Sequence, residues 1–219
     1  MNLSNFQYLC AQGLENHFNL EIPFSRFFRN VLLLSCFSIL PFLLIFILLS
    51  PGFLTLLTTN GTAFIRFNRQ VLSNGVLVVF VINYIGFISA HAFQAHLRQR
   101  PVRYLFLDGS IRAILFVALH ALIYVISADL FGSFGGDRLT ALQVVGPTLQ
   151  RAYAFENISS VYLYGTLVGS YALYLAVLAP REGARRWHAH ALSISACTST
   201  LLAVTFLSNA ARLLFEGAQ

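Results

Sequence analysis

The chain has 219 residues, of which 57% are hydrophobic and only 10% are charged, and its net charge is +6. Soluble globular domains carry about 25% charged residues, so this composition excludes a protein whose surface faces water on all sides. All 14 basic residues are arginines, which excludes lysine chemistry such as a Schiff base. Most of the arginines fall in short segments between apolar runs, as in membrane-protein loops, and we expect no nucleic-acid partner.

Five apolar runs are long enough to cross a membrane, which takes about 20 helical residues. They are residues 31–49, 75–91, 104–130, 161–179 and 189–215. The sequence therefore predicts an all-α polytopic membrane protein with about five transmembrane helices. We expect residues 1–30 to form an N-terminal interfacial segment and residues 31–219 to form the five-helix transmembrane domain. The first thirty residues contain no early apolar run, so we expect no cleavable signal peptide.

Arginine-rich loops predict the orientation of the chain. Three arginines follow the second run within residues 98–103, and three follow the fourth run within residues 181–186. By the positive-inside rule both loops lie on the inner side, so the N-terminus is inside and the C-terminus is outside. We expect a bacterial or mitochondrial inner membrane. Anionic lipid, with cardiolipin as one example, is expected near four of these arginines: Arg98, Arg100, Arg185 and Arg186.

Three further segments mix aromatic or aliphatic residues with polar ones and are not long enough to span a membrane. They are residues 24–28, 53–71 and 139–153. Amphipathic segments of this kind lie along a membrane surface or dock onto a partner subunit.

Small residues on the last two runs predict close helix packing. Gly165 and Gly169 are four residues apart, so they share one helix face and let another backbone approach closely. Small residues that include Ser195 recur at similar spacing on the fifth run. We expect the fourth helix to pack on the fifth through these residues, or to dock onto another protein chain.

Ionisable groups within apolar runs are the default candidates for function in a membrane protein. Asp108 and Arg112 are four residues apart, and we expect them to pair at the inner membrane edge. His120 lies near the middle of the third run, where we expect a neutral ring bonded to a neighbouring hydroxyl. A polar path across the membrane is an alternative, and its candidate residues are Arg112, His120, Asp129, Glu156 and Arg212.

Cysteines and histidines give little sign of a cofactor. The three cysteines, Cys10, Cys36 and Cys197, are far apart, and their spacing matches no metal or disulfide motif. Four histidines cluster toward the inner side: His91, His96, His188 and His190. One b-type haem between the second and fifth helices stays open as an alternative. We otherwise expect no cofactor and no metal site, although bound lipid is expected.

No phosphate-binding loop, nucleophile elbow or zinc-protease motif is found in the sequence, which disfavours a stand-alone enzyme. The leading hypothesis is a non-catalytic integral subunit of a larger membrane complex, with other membrane proteins and lipids as partners. An energy-transducing assembly of the respiratory, ATP-synthase or photosynthetic kind would be its host. A proton- or ion-conducting subunit and a haem-bearing redox subunit are the alternatives.

Overall fold

The computed structural model describes residues 14–178 and 186–216, apart from the side chains of Arg186 and Glu216. Within these residues the chain is helical with no strand, and five helices are long and apolar enough to cross a membrane. The predicted all-α, five-span architecture is therefore confirmed, and the protein is an integral membrane protein. Residues 1–13, which include Cys10 and much of the predicted interfacial segment, lie outside the described part.

The helices are numbered here in chain order. The first half of the chain contains α1 (Phe24–Leu49), α2 (Phe53–Thr59), α3 (Gly61–Gln70), a π-helical segment (Val71–Val76), α4 (Leu77–Ala92) and α5 (Gln94–Gln99). The second half contains α6 (Pro101–Phe131), α7 (Arg138–Gln143), α8 (Val145–Arg151), α9 (Ser159–Leu178) and α10 (Arg186–Glu216). The spans are α1, α3–α4, α6, α9 and α10.

Two spans begin earlier than the apolar runs predict. The α1 helix starts at Phe24, so residues 24–28 form its first turn and the expected boundary at residue 31 falls inside a helix. Likewise α3, the π-helical segment and α4 form one continuous helical stretch from Gly61 to Ala92. Hydropathy marks the part of a helix that lies in hydrocarbon, whereas the helix itself extends into the polar interface, where a hydropathy threshold does not register it.

The wide π-helical turn makes room for an aromatic ring. Gly75 lies in this turn, and a Cβ atom at that position would overlap the ring of Tyr162 from α9. A π-helical turn inside an α-helix widens the coil locally, and such turns are frequent at functional positions.

The α9 helix lies at the centre of the bundle. About 78% of its apolar window is buried within the chain, against 17–44% for the other four spans. It packs extensively against α1, α4 and α10, and α6 packs most extensively against α10 and also against α4. The helices α4, α6, α10 and α9 thus form a four-membered ring in which α6 and α9 face each other across the middle.

The two glycines of α9 pack against other helices of the same chain. Gly165 lies against Ile39 and Ser38 of α1, and Gly169 lies directly against the Asn83 amide of α4. The fourth span does pack on the fifth as predicted, but the expectation that these glycines face it is wrong. The glycine face is turned to α1 and α4, because an asparagine amide fits there only against a residue without a side chain. Ser195 of α10 is exposed, and its hydroxyl donates to its own helix at Ala191.

The segment at residues 139–153 covers the C-terminal end of α10, which is its outer end in the orientation predicted from the arginines. It contributes to α7 and α8, and its own residues Val145 and Leu149 are buried. Gly146 lies against the backbone of Arg212, so that a Cβ atom there would come within 3.0 Å of it. The apolar face of this amphipathic segment thus packs against the chain's own helix bundle.

A matched pair of substitutions on α9 tests this packing. We expect Gly169→Ala to destabilise the protein by about 1–3 kcal/mol, because the added methyl overpacks the Asn83 amide. Gly165→Ala should cost less than Gly169→Ala, since the nearest neighbour of its new Cβ position is the Ile39 side chain at 3.2 Å, which needs only a small shift. Unfolding in detergent followed by circular dichroism measures both. Equal stability of the two variants would contradict the described contact.

Candidate functional site

A column of buried side chains at four-residue spacing runs along α6. These are Tyr104, Asp108, Arg112, Phe116 and His120, each 4% exposed or less. Each step of four residues turns about 40° around a helix, so successive members are neighbours and the column winds by about 160° around α6 from Tyr104 to His120. Four of the five side chains are polar or ionisable, although the interior of a bundle in lipid strongly disfavours such groups.

Asp108 and Arg112 form an ion pair that is sealed from solvent. Arg112 Nε lies 3.1 Å from each carboxylate oxygen, and both side chains are 0% exposed. The predicted pairing is therefore confirmed. The predicted position at the inner membrane edge stays a prediction, whereas the enclosure of the pair by other helices was not predicted. The enclosure is a consequence of tertiary packing, which helical spacing does not reveal.

Asn83 connects this ion pair to two other helices. Its Oδ1 atom accepts a hydrogen bond from Arg112 Nη1 at 3.1 Å, and its Nδ2 group donates to Ser35 Oγ at 3.1 Å. The Ser35 hydroxyl in turn donates to the carbonyl of Val31. The sequence analysis missed Asn83 and Ser35. A lone amide in an otherwise apolar span was the available signal, because such residues hydrogen-bond between helices.

Four buried polar atoms around the pair have no hydrogen-bond partner among the described residues. They are the Arg112 Nη2 group, the Ser170 hydroxyl and the hydroxyls of Tyr104 and Tyr174. Ser170 lies beside the Asp108 carboxylate, although its hydroxyl makes no well-formed hydrogen bond. The Tyr104 and Tyr174 rings lie 6.1 Å apart between centroids. We call these four side chains, together with Asp108, Asn83 and Ser35, the polar centre.

The polar centre fills the middle of the four-helix ring. Both α6 and α9 pack against α4 and α10 rather than extensively against each other. Arg112 and Tyr174 are among the largest fully buried side chains of the protein, and they occupy the space between α6 and α9. Gly86 of α4 leaves room for the guanidinium, which a Cβ atom there would overlap.

His120 forms a second polar position toward the outer side. Its Nδ1 atom lies 2.8 Å from the carbonyl oxygen of Phe116. A carbonyl only accepts hydrogen bonds, so Nδ1 carries the proton and Nε2 is left as an acceptor. The expected hydroxyl partner is therefore wrong for Nδ1. The Tyr162 ring lies 6.3 Å from the imidazole, and its buried hydroxyl has no partner among the described residues.

The remaining candidates for a polar path lie at the outer surface. Asp129 accepts a hydrogen bond from Arg138 at 2.6 Å in an exposed ion pair. Glu156 is exposed at a crevice of about 700 Å³ beside the end of α1. Arg212 is exposed on α10. The structure thus brings Arg112 and His120 onto one buried column and leaves the other three at the surface.

The inner histidines have individual surroundings. His91 Nε2 lies 2.6 Å from the carbonyl of Phe18, and His190 Nδ1 lies 2.6 Å from the Tyr171 hydroxyl. His96 stacks on Phe93, and His188 is exposed. Within residues 14–178 and 186–216 no group of three or more His, Cys, Asp or Glu side chains is placed to hold a metal ion.

The candidate lipid-binding arginines are placed only in part. Arg98 and Arg100 are exposed at the end of α5. Arg185 and the side chain of Arg186 lie outside the described part of the chain.

Two aspartate variants separate the buried pair from the surface pair. Asp108→Asn leaves the Arg112 charge buried without its counter-ion, and we expect a loss of about 3–5 kcal/mol in unfolding free energy. Asp129→Asn removes an exposed pair and should cost less than about 1 kcal/mol. Adding Arg112→Gln to Asp108→Asn should restore part of the loss. Unfolding in detergent measures the stability of all three variants. Equal losses of unfolding free energy at positions 108 and 129 would contradict the burial of the Asp108–Arg112 pair.

Comparison with known proteins identifies no family for this chain. No family model, no curated protein and no solved structure matches the chain.

Proposed function

We propose that the protein conducts protons or small ions across its membrane along the buried face of α6. The observation that carries this proposal is the column Tyr104, Asp108, Arg112, Phe116 and His120, buried inside a bundle of apolar helices. Ionisable groups within membrane spans are costly, and where they occur they commonly mark ion paths or proton relays. This is the alternative that the sequence analysis left open for Arg112 and His120.

The polar groups fall into an inner and an outer part. The inner part is the polar centre, with Tyr104 at its inner end. The outer part contains His120 and Tyr162, with Asp129 at the surface beyond it. The aromatic ring of Phe116 lies between them, 4.4 Å from the imidazole. In the proposal this ring is the barrier that keeps the two halves apart until side chains move, since an apolar constriction can gate a polar path.

The unpartnered atoms favour conduction over a purely structural clamp. A buried polar network that serves only to join helices is most stable when every donor and acceptor is satisfied. Here one guanidinium nitrogen and three hydroxyls of the polar centre are unsatisfied within the described structure. Such groups have free capacity to bond water or a passing ion, which is what a conducting path requires.

Tyrosine-to-phenylalanine variants test conduction without removing the fold. The Tyr104 and Tyr174 hydroxyls have no partner among the described residues, so Tyr104→Phe with Tyr174→Phe should leave thermal stability unchanged or higher. In vesicles that contain a pH-sensitive dye and carry a potassium-driven membrane potential, the wild type should show proton flux. We expect the double variant to fall toward the level of protein-free vesicles.

Tyr84→Phe is the matched control, because Tyr84 packs among Phe24, Phe27 and Phe28 away from the polar centre. Its flux should equal that of the wild type. Small cations and anions offered in place of the proton gradient show which ion is carried. Wild-type vesicles no leakier than protein-free vesicles to any of these ions would overturn the proposal.

A non-catalytic subunit of a larger membrane complex is the second candidate. The observation that favours it is the small coverage of α6, of which only about 17% of the apolar window is buried within the chain. A partner helix would cover such a face as well as lipid does. Purification in a mild detergent followed by mass spectrometry tests this candidate, and a stoichiometric set of co-purified membrane proteins is the expected result. A species of this chain alone would count against it.

A further inference from the structure

The junction between α5 and α6 forms a cationic cavity at the predicted inner surface. The cavity has a volume of about 490 Å³. Its lining consists of Phe93, His96, Gln99, Arg100, Arg103, Tyr104 and Leu107. We call it the inner crevice. Although it shares Tyr104 with the polar centre, its charged groups lie on the water side of that residue.

From this lining we infer that the inner crevice binds the phosphate group of an anionic phospholipid. Arg100 and Arg103 both line it, and neither forms an ion pair with any carboxylate of the described residues. Guanidinium groups are well suited to phosphate because their planar N–H donors match its oxygens. Gln99 and His96 add further hydrogen-bonding groups to the same cavity.

The helix that starts at the inner crevice strengthens the attraction. The α6 helix begins with Pro101 at its first turn, and no side chain caps it. It is 31 residues long, and the N-terminal end of a helix carries partial positive charge that favours an anion. The dipole and the two arginines therefore act on the same volume, and this second contribution reinforces the side-chain chemistry.

The wall of the crevice continues into an apolar surface, which favours a lipid over a soluble phosphate compound. Leu107 lines the cavity and is 42% exposed, and the neighbouring Phe106 is 66% exposed. Both lie on α6 just inside the span, where acyl chains would run beside them. A phosphate held at Arg100 and Arg103 would thus place its chains along an apolar helix face.

This site differs from a diffuse basic surface in the arginines that it uses. Arg98 is exposed on the same short helix, yet it does not line the cavity. Arg103, which the sequence analysis did not assign to lipid, does line it. The inference holds whether or not α6 conducts protons, because Arg100 and Arg103 are not members of the buried column.

Lipid retention by the purified full-length protein tests the site. The probes are dioleoyl phosphatidylglycerol and dioleoyl phosphatidylcholine, which share a phosphodiester but differ in net charge. Native mass spectrometry should show preferential retention of phosphatidylglycerol by the wild type and by Arg98→Gln. The double variant with Arg100→Gln and Arg103→Gln should lose that preference. Thermal stabilisation by added phosphatidylglycerol should follow the same pattern.

Two outcomes would overturn the inference. One is equal retention by the double variant and the wild type, and the other is equal loss in Arg98→Gln, which would indicate diffuse charge. Inorganic phosphate is tested in parallel; stabilisation by phosphate but not by the lipid would keep the phosphate site and assign it to a soluble compound. Gln99→Glu serves as an independent variant, because a carboxylate inside the crevice should repel the phosphate while the arginines stay in place.

Discussion

The ion pair between Asp108 and Arg112 is the constraint around which the bundle is arranged. Both side chains are fully buried, and the cost of an unpaired charge in such a setting is several kcal/mol. The pair therefore has to form, and the remaining N–H donors of Arg112 need acceptors. Asn83 accepts a hydrogen bond from one of them, Arg112 Nη1. This bond fixes how α4 is rotated relative to α6, and the Asn83 contact with Ser35 extends the constraint to α1.

Glycine positions follow from the size of these polar side chains. Gly86 leaves space for the guanidinium, and Gly169 leaves space for the Asn83 amide. In both cases a methyl group would occupy the volume of a buried polar side chain. Helix association in lipid has little hydrophobic driving force and depends on close packing and interhelical hydrogen bonds. The glycines and the polar centre are thus two parts of one packing solution, in which small residues let polar side chains reach across helices.

Polar groups are distributed unevenly along the membrane normal. In the predicted orientation, the inner half holds the polar centre and, beyond Tyr104, the inner crevice with its two arginines. The outer half holds His120 and Tyr162, separated from the polar centre by Phe116. Tyr104 borders both the cavity and the buried ion pair, so a lipid phosphate in the crevice would change the electrostatic environment next to the polar centre. The proposed conduction path and the proposed lipid site are therefore neighbours, although each stands on its own contacts.

The sequence by itself determined that the helices lie in lipid and how many of them cross the membrane, because a run of about 20 apolar residues is stable in the hydrocarbon core of a bilayer. It also determined that Asp108 and Arg112 pair, since residues four apart on a helix are neighbours. It did not determine which helix faces meet. Gly165 and Gly169 share a face by spacing alone, but only the tertiary structure turned that face toward α1 and α4 and placed Asn83 against it. The same holds for Asp129, whose partner Arg138 lies nine residues further along the chain, beyond the neighbours that helical spacing predicts. Helical periodicity fixes positions around one axis, whereas the rotation of each helix against its neighbours is decided by the packing of all five together.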